Sequence, residues 1–353
     1  MRVLLLNDTA LSPHVGSLAV SSAIERLIGE VNATISHRVF VTQYRSLWDG
    51  SEASSIANVE NSPVAEMLNS VDAVVLNGEG TMHHDNGLHY LAILGASQQR
   101  GLKTLMVNSL FEEINHFKAV IQRLDECICR DPLSLLEARL INPDSQLHPD
   151  LIIEAEPFWD KDCQIDLTNQ IICTDWHPHR SKDVGRALLE FMKVTPKTFF
   201  YPFKHGVQRS IWRSALANFS SAAAVVAARY HAVYLAILAG LPCVMLESNS
   251  HKMEALLHWL GEPLVLCNHA ADLETALRKA KSNRAGFLEL RHKLLSYGAF
   301  KGFSKFVQPY RRELCNENQR PMVVKRYQSQ PHLWLLQTPE KAALEAQLFG
   351  SGT

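Results

Sequence analysis

Short apolar runs rich in β-branched residues and leucine alternate along this chain with longer stretches of helical spacing, and that alternation leaves few folds open. Candidate strands are Val3–Leu6, Ala73–Leu76, Thr104–Val107, Glu126–Cys129, Gln170–Cys173, Thr198–Tyr201, Ala223–Ala227, Cys243–Leu246 and Leu264–Cys267. Helical patterns stand at Ser17–Ile28, Leu133–Leu140, Val184–Val194, Val207–Asn218, Tyr230–Ala239 and Lys252–Leu260. Strands separated by helices need crossover connections, which give parallel sheets with helices on both faces. The series restarts after the polar, proline-containing stretch Glu154–Asp166. The expected fold is therefore α/β, with two doubly wound, Rossmann-like domains facing a cleft. The expected boundaries are 1–155 for the first domain and 165–330 for the second. A tail at 331–353, with a helix near Pro339–Leu348, would pack back on the first. Ligands of such sheets bind beyond the carboxyl ends of the strands, so the cleft is where chemistry is expected.

The 353 residues carry 35 Lys+Arg against 36 Asp+Glu, a formal net charge of −1, and so provide no global basic field for nucleic acid. Val3–Leu6 reads as a first strand rather than a signal peptide, and the most apolar stretch, 227–246, is broken by Arg229, His231, Gly240 and Pro242. Seven cysteines without a C-x-x-C pair suggest a reduced chain without disulfides or structural zinc. The expected location is cytoplasmic, at most peripheral to the inner face of a membrane, with homo-oligomerisation left open.

Four strand ends carry chemistry. In "AARYHAVYLAILAGLPCVML", Arg229 ends a buried strand and His231 opens a buried helix. A helix N-terminus favours anions, and an arginine there adds a planar fork for carboxylate or phosphate. The competing reading pairs Arg229 with a core carboxylate and His231 with a carbonyl. Arg130, in "CRDPLSLL", holds the equivalent place in the first domain, with Asp131 as helix cap and Pro132 at the first helical position. The turn Asn77–Asp85, "NGEGTMHHD", lacks the third glycine of a dinucleotide fingerprint, because His83 stands there. His83 and His84 suit acid–base or anion-binding work; as adjacent residues on one backbone they are not expected to ligate one ion. Lys252 would sit in the first turn of a helix, where a cation is unwelcome unless an anion binds nearby. Weaker candidates are His14, Gly16 and Ser17 in the first βα loop, then His177, His179, Arg180, Lys204 and His205.

Taken in order, these segments resemble the polysaccharide pyruvyl transferase family, whose fold is GT-B-like. The resemblance rests on ARYHAVYLAILAGLPCVML, CRDPLSLLEA, SHKMEALLHWLG and VVLNGEG, and it spans about residues 1–270. It implies transfer of a pyruvyl group from phosphoenolpyruvate to two hydroxyls of a saccharide, in cell-surface or exopolysaccharide biosynthesis, without a metal or other cofactor. The acceptor would be a saccharide, lipid-linked or free. On that reading Arg130, Arg229 and Lys252 clamp the donor, and His231 moves protons, with His83 or His84 as second choice. His14, Gly16, Ser17, Glu79 and Asp85 would face the acceptor. The family's N-terminal Asn-x-Gly-Asp turn is replaced here by Asn7-Asp8-Thr9 and His14–Ser17, on the acceptor side. Two other functions share the architecture: a glycosyltransferase using a nucleotide sugar, with Glu247 or Glu254 gripping the ribose, and a non-catalytic sugar- or anion-binding subunit.

Overall fold

A computed structural model of the chain describes residues 1–162, 165–177, 182–204, 212–267 and 270–303. The expected tail at 331–353, its helix near Pro339–Leu348, most of the basic-aromatic stretch after Tyr297, and the start of the Val207–Asn218 helix lie outside them.

Two parallel sheets form. The first contains β1 (Arg2–Asp8), β2 (Thr34–Phe40), β3 (Ala73–Glu79), β4 (Lys103–Ser109), β5 (Glu126–Cys129) and β6 (Gln146–Leu147), in the order β2-β1-β3-β4-β5-β6. The second contains β7 (Ile171–Thr174), β8 (Thr198–Tyr201), β9 (Ala224–Ala227), β10 (Cys243–Leu246) and β11 (Val265–Cys267), in the order β11-β10-β9-β7-β8. Apart from the extra edge strand β6, the two orders are the same. In each, the second strand lies outside the first and the third returns on its other side. The switch points therefore fall between β1 and β3 and between β7 and β9, where crevices open at the carboxyl ends of the strands.

Burial explains the elements. β3 and β9 are buried along their whole length, as strands covered on both faces must be. The Tyr230–Leu238 helix is buried on every side and ends at Gly240, whose φ of 66° suits the residue closing a helix. The 3₁₀ segment Leu151–Phe158, which overlaps the start of the stretch expected to link the halves, buries Leu151, Ile152, Ile153 and Ala155 against the Val15–Glu30 helix. One apolar core accordingly runs from a face of the first sheet, through that helix, into the second lobe. The five described cysteines are unbridged and buried. No described helix is long and apolar enough to cross a membrane.

Polar contacts fix the lobes against each other. Val15 N donates to the Phe203 carbonyl at 2.9 Å, and Asp150 N to the Tyr234 hydroxyl at 3.3 Å. His251, before the Lys252–Leu260 helix, reaches across to the first lobe. Its Nδ1 stands 3.5 Å from Glu112 Oε1, and its Nε2 lies 3.4 Å from Asp131 Oδ1 and 3.2 Å from Ser134 Oγ. Burial alone disfavours an imidazolium, but Asp131 and Glu112 outweigh it and push His251 up to about 10. Because the folded value lies above the unfolded one, the stabilisation is complete below the ordinary histidine pKa and is lost as pH rises through about 10. His251→Gln should therefore destabilise the protein most at pH 6, with the gap to wild type closing toward pH 10. Denaturant unfolding at both pH values checks this; a gap that does not narrow would show that the latch carries no charge.

Candidate active site in the interlobe cleft

Both switch points open on a single cleft of about 270 Å³, lined from the first lobe by Thr9, Ser12, His14, Ser17, Val41, Glu79, Gly80, Thr81 and Arg130. The second lobe contributes His177, Lys204, Arg229, Tyr230, His231, Ser248, Asn249 and Lys252. Four cationic side chains thus face one another with Glu79 as the single carboxylate among these lining residues.

Arg130 follows β5 and is almost wholly buried. Its guanidinium pairs with Asp150 Oδ2 at 3.0 Å and lies over the Tyr230 ring, 4.3 Å from the centroid. Arg229 follows β9 and grips Asp175 through Nε, at 3.0 Å, and through Nη2, which also donates to the Trp176 carbonyl at 2.8 Å. The core pairing expected as the alternative for Arg229 is present, with Asp175 as the carboxylate. Asp150 and Asp175 hold the arginines from behind while both guanidinium groups line the cleft. His231 Nε2 stands 3.4 Å from Asp150 Oδ2, so one buried carboxylate faces a side chain from each lobe. Burial would raise the pKa of Asp150, but His231, Arg130 and the Ile152 N–H hold it at about 2.

His14 caps the Val15–Glu30 helix by accepting from Ser17 N at 3.3 Å through Nδ1, which leaves the proton of the neutral ring on Nε2. Burial first, then His231 and Arg229, keeps its pKa well below the usual histidine value. Its ring meets that of His231 edge-on, with centroids 5.4 Å apart. Lys252 donates to Asn249 Oδ1 at 2.5 Å; burial, then Arg130 and Arg229, lowers it to about 7. An amine held there exchanges its proton at neutral pH.

The glycine turn is shaped by close approaches. A side chain at Gly78 would place its Cβ 2.4 Å from Ser109 Oγ. Glu79, at φ 34°, turns its carboxylate into the cleft, where Oε1 accepts from Ser17 Oγ at 2.6 Å. Gly16 does not line the cleft as expected of an acceptor residue. It sits in the first helical turn, where a Cβ would lie 2.1 Å from the His231 ring, so its bare backbone is what lets that imidazole seat.

Three further candidates stand apart from the cleft lining. Asp85 lies outside the cleft lining and accepts from Asn115 N at 2.7 Å and Asn115 Nδ2 at 3.1 Å, tying two loops together. His83 and His84 also stand outside the lining, beside Glu112. Burial, then Lys252 and His84, lowers His83 to about 4, so it is neutral at pH 7. His179, Arg180 and His205 lie outside the described residues. Sequence reasoning missed Asp150 and Asp175. Asp175 directly follows β7, so the rule that singled out Arg229 would have found it.

No family model matches the sequence, and the search of curated proteins returns no match. The fold does have relatives among solved structures. The UDP-GlcNAc 2-epimerase of Neisseria meningitidis bound to UDP-GlcNAc superposes with a TM-score of 0.53 at 10% identity, covering 87% of this chain and 98% of that one. Arabidopsis thaliana UGT89C1 complexed with UDP gives 0.53 at 9%, over 87% and 98%. The UDP-GlcNAc 2-epimerase of Methanocaldococcus jannaschii with UDP-GlcNAc and UDP gives 0.51 at 13%, over 84% and 99%. At these identities the likeness carries architecture alone: the chain has a GT-B-like α/β fold of two parallel-sheet lobes.

Proposed function

We propose that the protein is a group-transfer enzyme that holds a small phosphorylated, carboxylate-bearing donor across the interlobe cleft. Phosphoenolpyruvate is that donor and a pair of saccharide hydroxyls the acceptor. The observation that carries this reading is the cation set: Arg130 from one lobe, with Arg229, Lys204 and Lys252 from the other, lining one cleft of about 270 Å³. A phosphate monoester plus a carboxylate brings about three negative charges into a small volume, which such a set meets with oriented N–H donors from the arginines and charge from the lysines. In the transfer, the methylene carbon of the enol gains a proton and an oxocarbenium-like centre forms at the neighbouring carbon. The first saccharide hydroxyl bonds to that carbon and loses its proton. The second bonds to the same carbon as the C–O bond to phosphate breaks, and its proton leaves with the phosphate, closing the ketal. On this reading Lys252 and His231, both lining the cleft, exchange the protons, and neutral His14 offers an N–H to a developing negative charge.

A nucleotide-sugar reaction is the second reading, and on overall fold it is the better supported, because solved structures with this fold carry UDP or UDP-GlcNAc. Against it stands the placement of the acids that would grip a ribose. Glu247 is exposed, and neither it nor Glu254 is among the cleft-lining residues. A non-catalytic binding subunit would share the cleft but release no phosphate.

Ligands that bind only the folded state raise the melting temperature, so thermal unfolding with phosphoenolpyruvate, and separately with UDP-sugars, separates the readings. The expected result is a rise with phosphoenolpyruvate; a rise with UDP-sugars alone moves the assignment to nucleotide-sugar chemistry. Arg229→Ala strands Asp175, so its shift is read against its own baseline, with Lys252→Ala as a second variant that strands no buried carboxylate. Each should lose the shift and about a hundredfold in turnover, roughly 3 kcal/mol. Wild-type turnover by both would overturn the clamp.

The depressed Lys252 adds a pH test. Its charge is lost as pH rises through about 7, so donor affinity should weaken from pH 6 to pH 8 in wild type. Lys252→Arg stays charged throughout, so the variant's affinity should depend less on pH over that interval. Isothermal titration at both pH values decides it; parallel pH profiles would remove Lys252 from the donor site.

A further inference from the structure

The geometry points to a second site beside the cleft: a divalent transition-metal site, of the zinc class, formed by His83, His84 and Glu112. Adjacent residues on an extended or helical backbone send their side chains apart, which is why the sequence argues against shared ligation. Here the backbone does not continue regularly. His84 and Asp85 have φ of 52° and 55°, in the left-handed region, and this brings the two imidazoles together. His83 Nδ1 and His84 Nδ1 stand 3.2 Å apart. Two nitrogens each about 2.05 Å from one tetrahedral ion would be separated by about 3.3 Å.

The third ligand arrives by strand-like pairing. His83 and Glu112 form an isolated parallel bridge, in which Glu112 N donates to the Met82 carbonyl and His84 N to the Glu112 carbonyl. That register brings Glu112 Oε2 to 3.8 Å from His84 Nδ1, and the ligand atoms of all three residues lie within 4.8 Å of one another. The two oxygens of this carboxylate are divided. Oε1 faces His251, whereas Oε2 is buried without a hydrogen-bond partner on the side of the imidazoles. A buried acceptor left in that state is costly unless something binds it.

An outer contact supports the same assignment. With His84 Nδ1 on the ion, its Nε2 carries the proton and faces Glu113 Oε2 at 3.6 Å, longer than a hydrogen bond but near enough for the carboxylate to close on the ring as in a carboxylate–histidine–metal arrangement. Two imidazoles and one carboxylate suit zinc, cobalt, nickel or iron(II) over magnesium or calcium. Three protein ligands leave a position open, and His84 is partly exposed, so that position takes an exchangeable oxygen ligand from solvent or substrate.

The test is direct binding, which does not depend on any assigned reaction. Full-length protein, stripped with EDTA and desalted, is titrated with ZnCl₂ by calorimetry and with CoCl₂ by visible absorption. The expected result is one equivalent of zinc and cobalt d–d bands typical of nitrogen and oxygen ligands. Both should be lost in His84→Ala and in His83→Ala, with far-UV circular dichroism retained. Should His83→Ala fail to fold, the more exposed His84 decides alone. Absence of a bound equivalent in wild type, or the same equivalent and bands in His84→Ala, overturns the proposal.

Discussion

A single buried carboxylate organises the cleft. Asp150 stands where the first sheet ends and the Leu151–Phe158 segment begins, and it faces Arg130 from one lobe and His231 from the other. Such groups contribute little net stability, because the desolvation of each charge offsets most of the attraction. Their effect is positional. Removing one member would leave an uncompensated buried charge, at a cost of about 3–5 kcal/mol, so the members hold one another in register. Tyr230 closes the arrangement by lying under the Arg130 guanidinium, and its neighbour His231 is thereby placed against the same acid.

The second carboxylate, Asp175, does the same for Arg229. Both sheets share one strand order around their switch points, and the carboxyl ends of both face the cleft. The ends of β5 and β9 are not counterparts in that order, since β5 matches β11 and β9 matches β3, yet both reach the same cleft. Each end carries an arginine that a neighbouring acid prevents from collapsing onto bulk solvent or the other lobe. Close approach then decides the smallest residues. Gly16 is required by the imidazole of His231 and Gly78 by the hydroxyl of Ser109, so both glycines answer contacts from elsewhere in the chain.

This division explains what was legible beforehand. β5, β8 and β10 have the bounds expected from their apolar runs, and Arg130 and Arg229 were found because strand ends are readable from one sequence. β2, "TISHRVF", was missed: it is an edge strand with one fully buried residue, so its pattern resembles a loop. The Leu88–Gln99 helix was missed for the opposite reason, since burial on nearly every side removes helical periodicity. Asp150 and the latch of His251 depend on contacts between residues distant in the chain, which a pattern of spacings does not encode. The left-handed His84 is similar. Nothing in "MHHD" announces it, and the two imidazoles meet where His84 and Asp85 both take left-handed dihedrals.

The electrostatics of the cleft also decide how an anion would be held. Asp150 and Asp175 compensate the two arginines, which therefore supply oriented N–H groups more than net charge. Net attraction falls to Lys204, which is exposed, and to Lys252, which is buried and lowered to about 7 by burial and by both arginines. Whatever lowers that pKa also makes it responsive, because an anion arriving beside Lys252 opposes the very repulsion that depresses it. Binding must then draw a proton onto the amine, by linkage between the two equilibria. An empty cleft keeps Lys252 ready to lose its proton, and a filled one keeps it charged. The same residue can thus grip an anion on arrival and release a proton as the anion's charge changes during transfer.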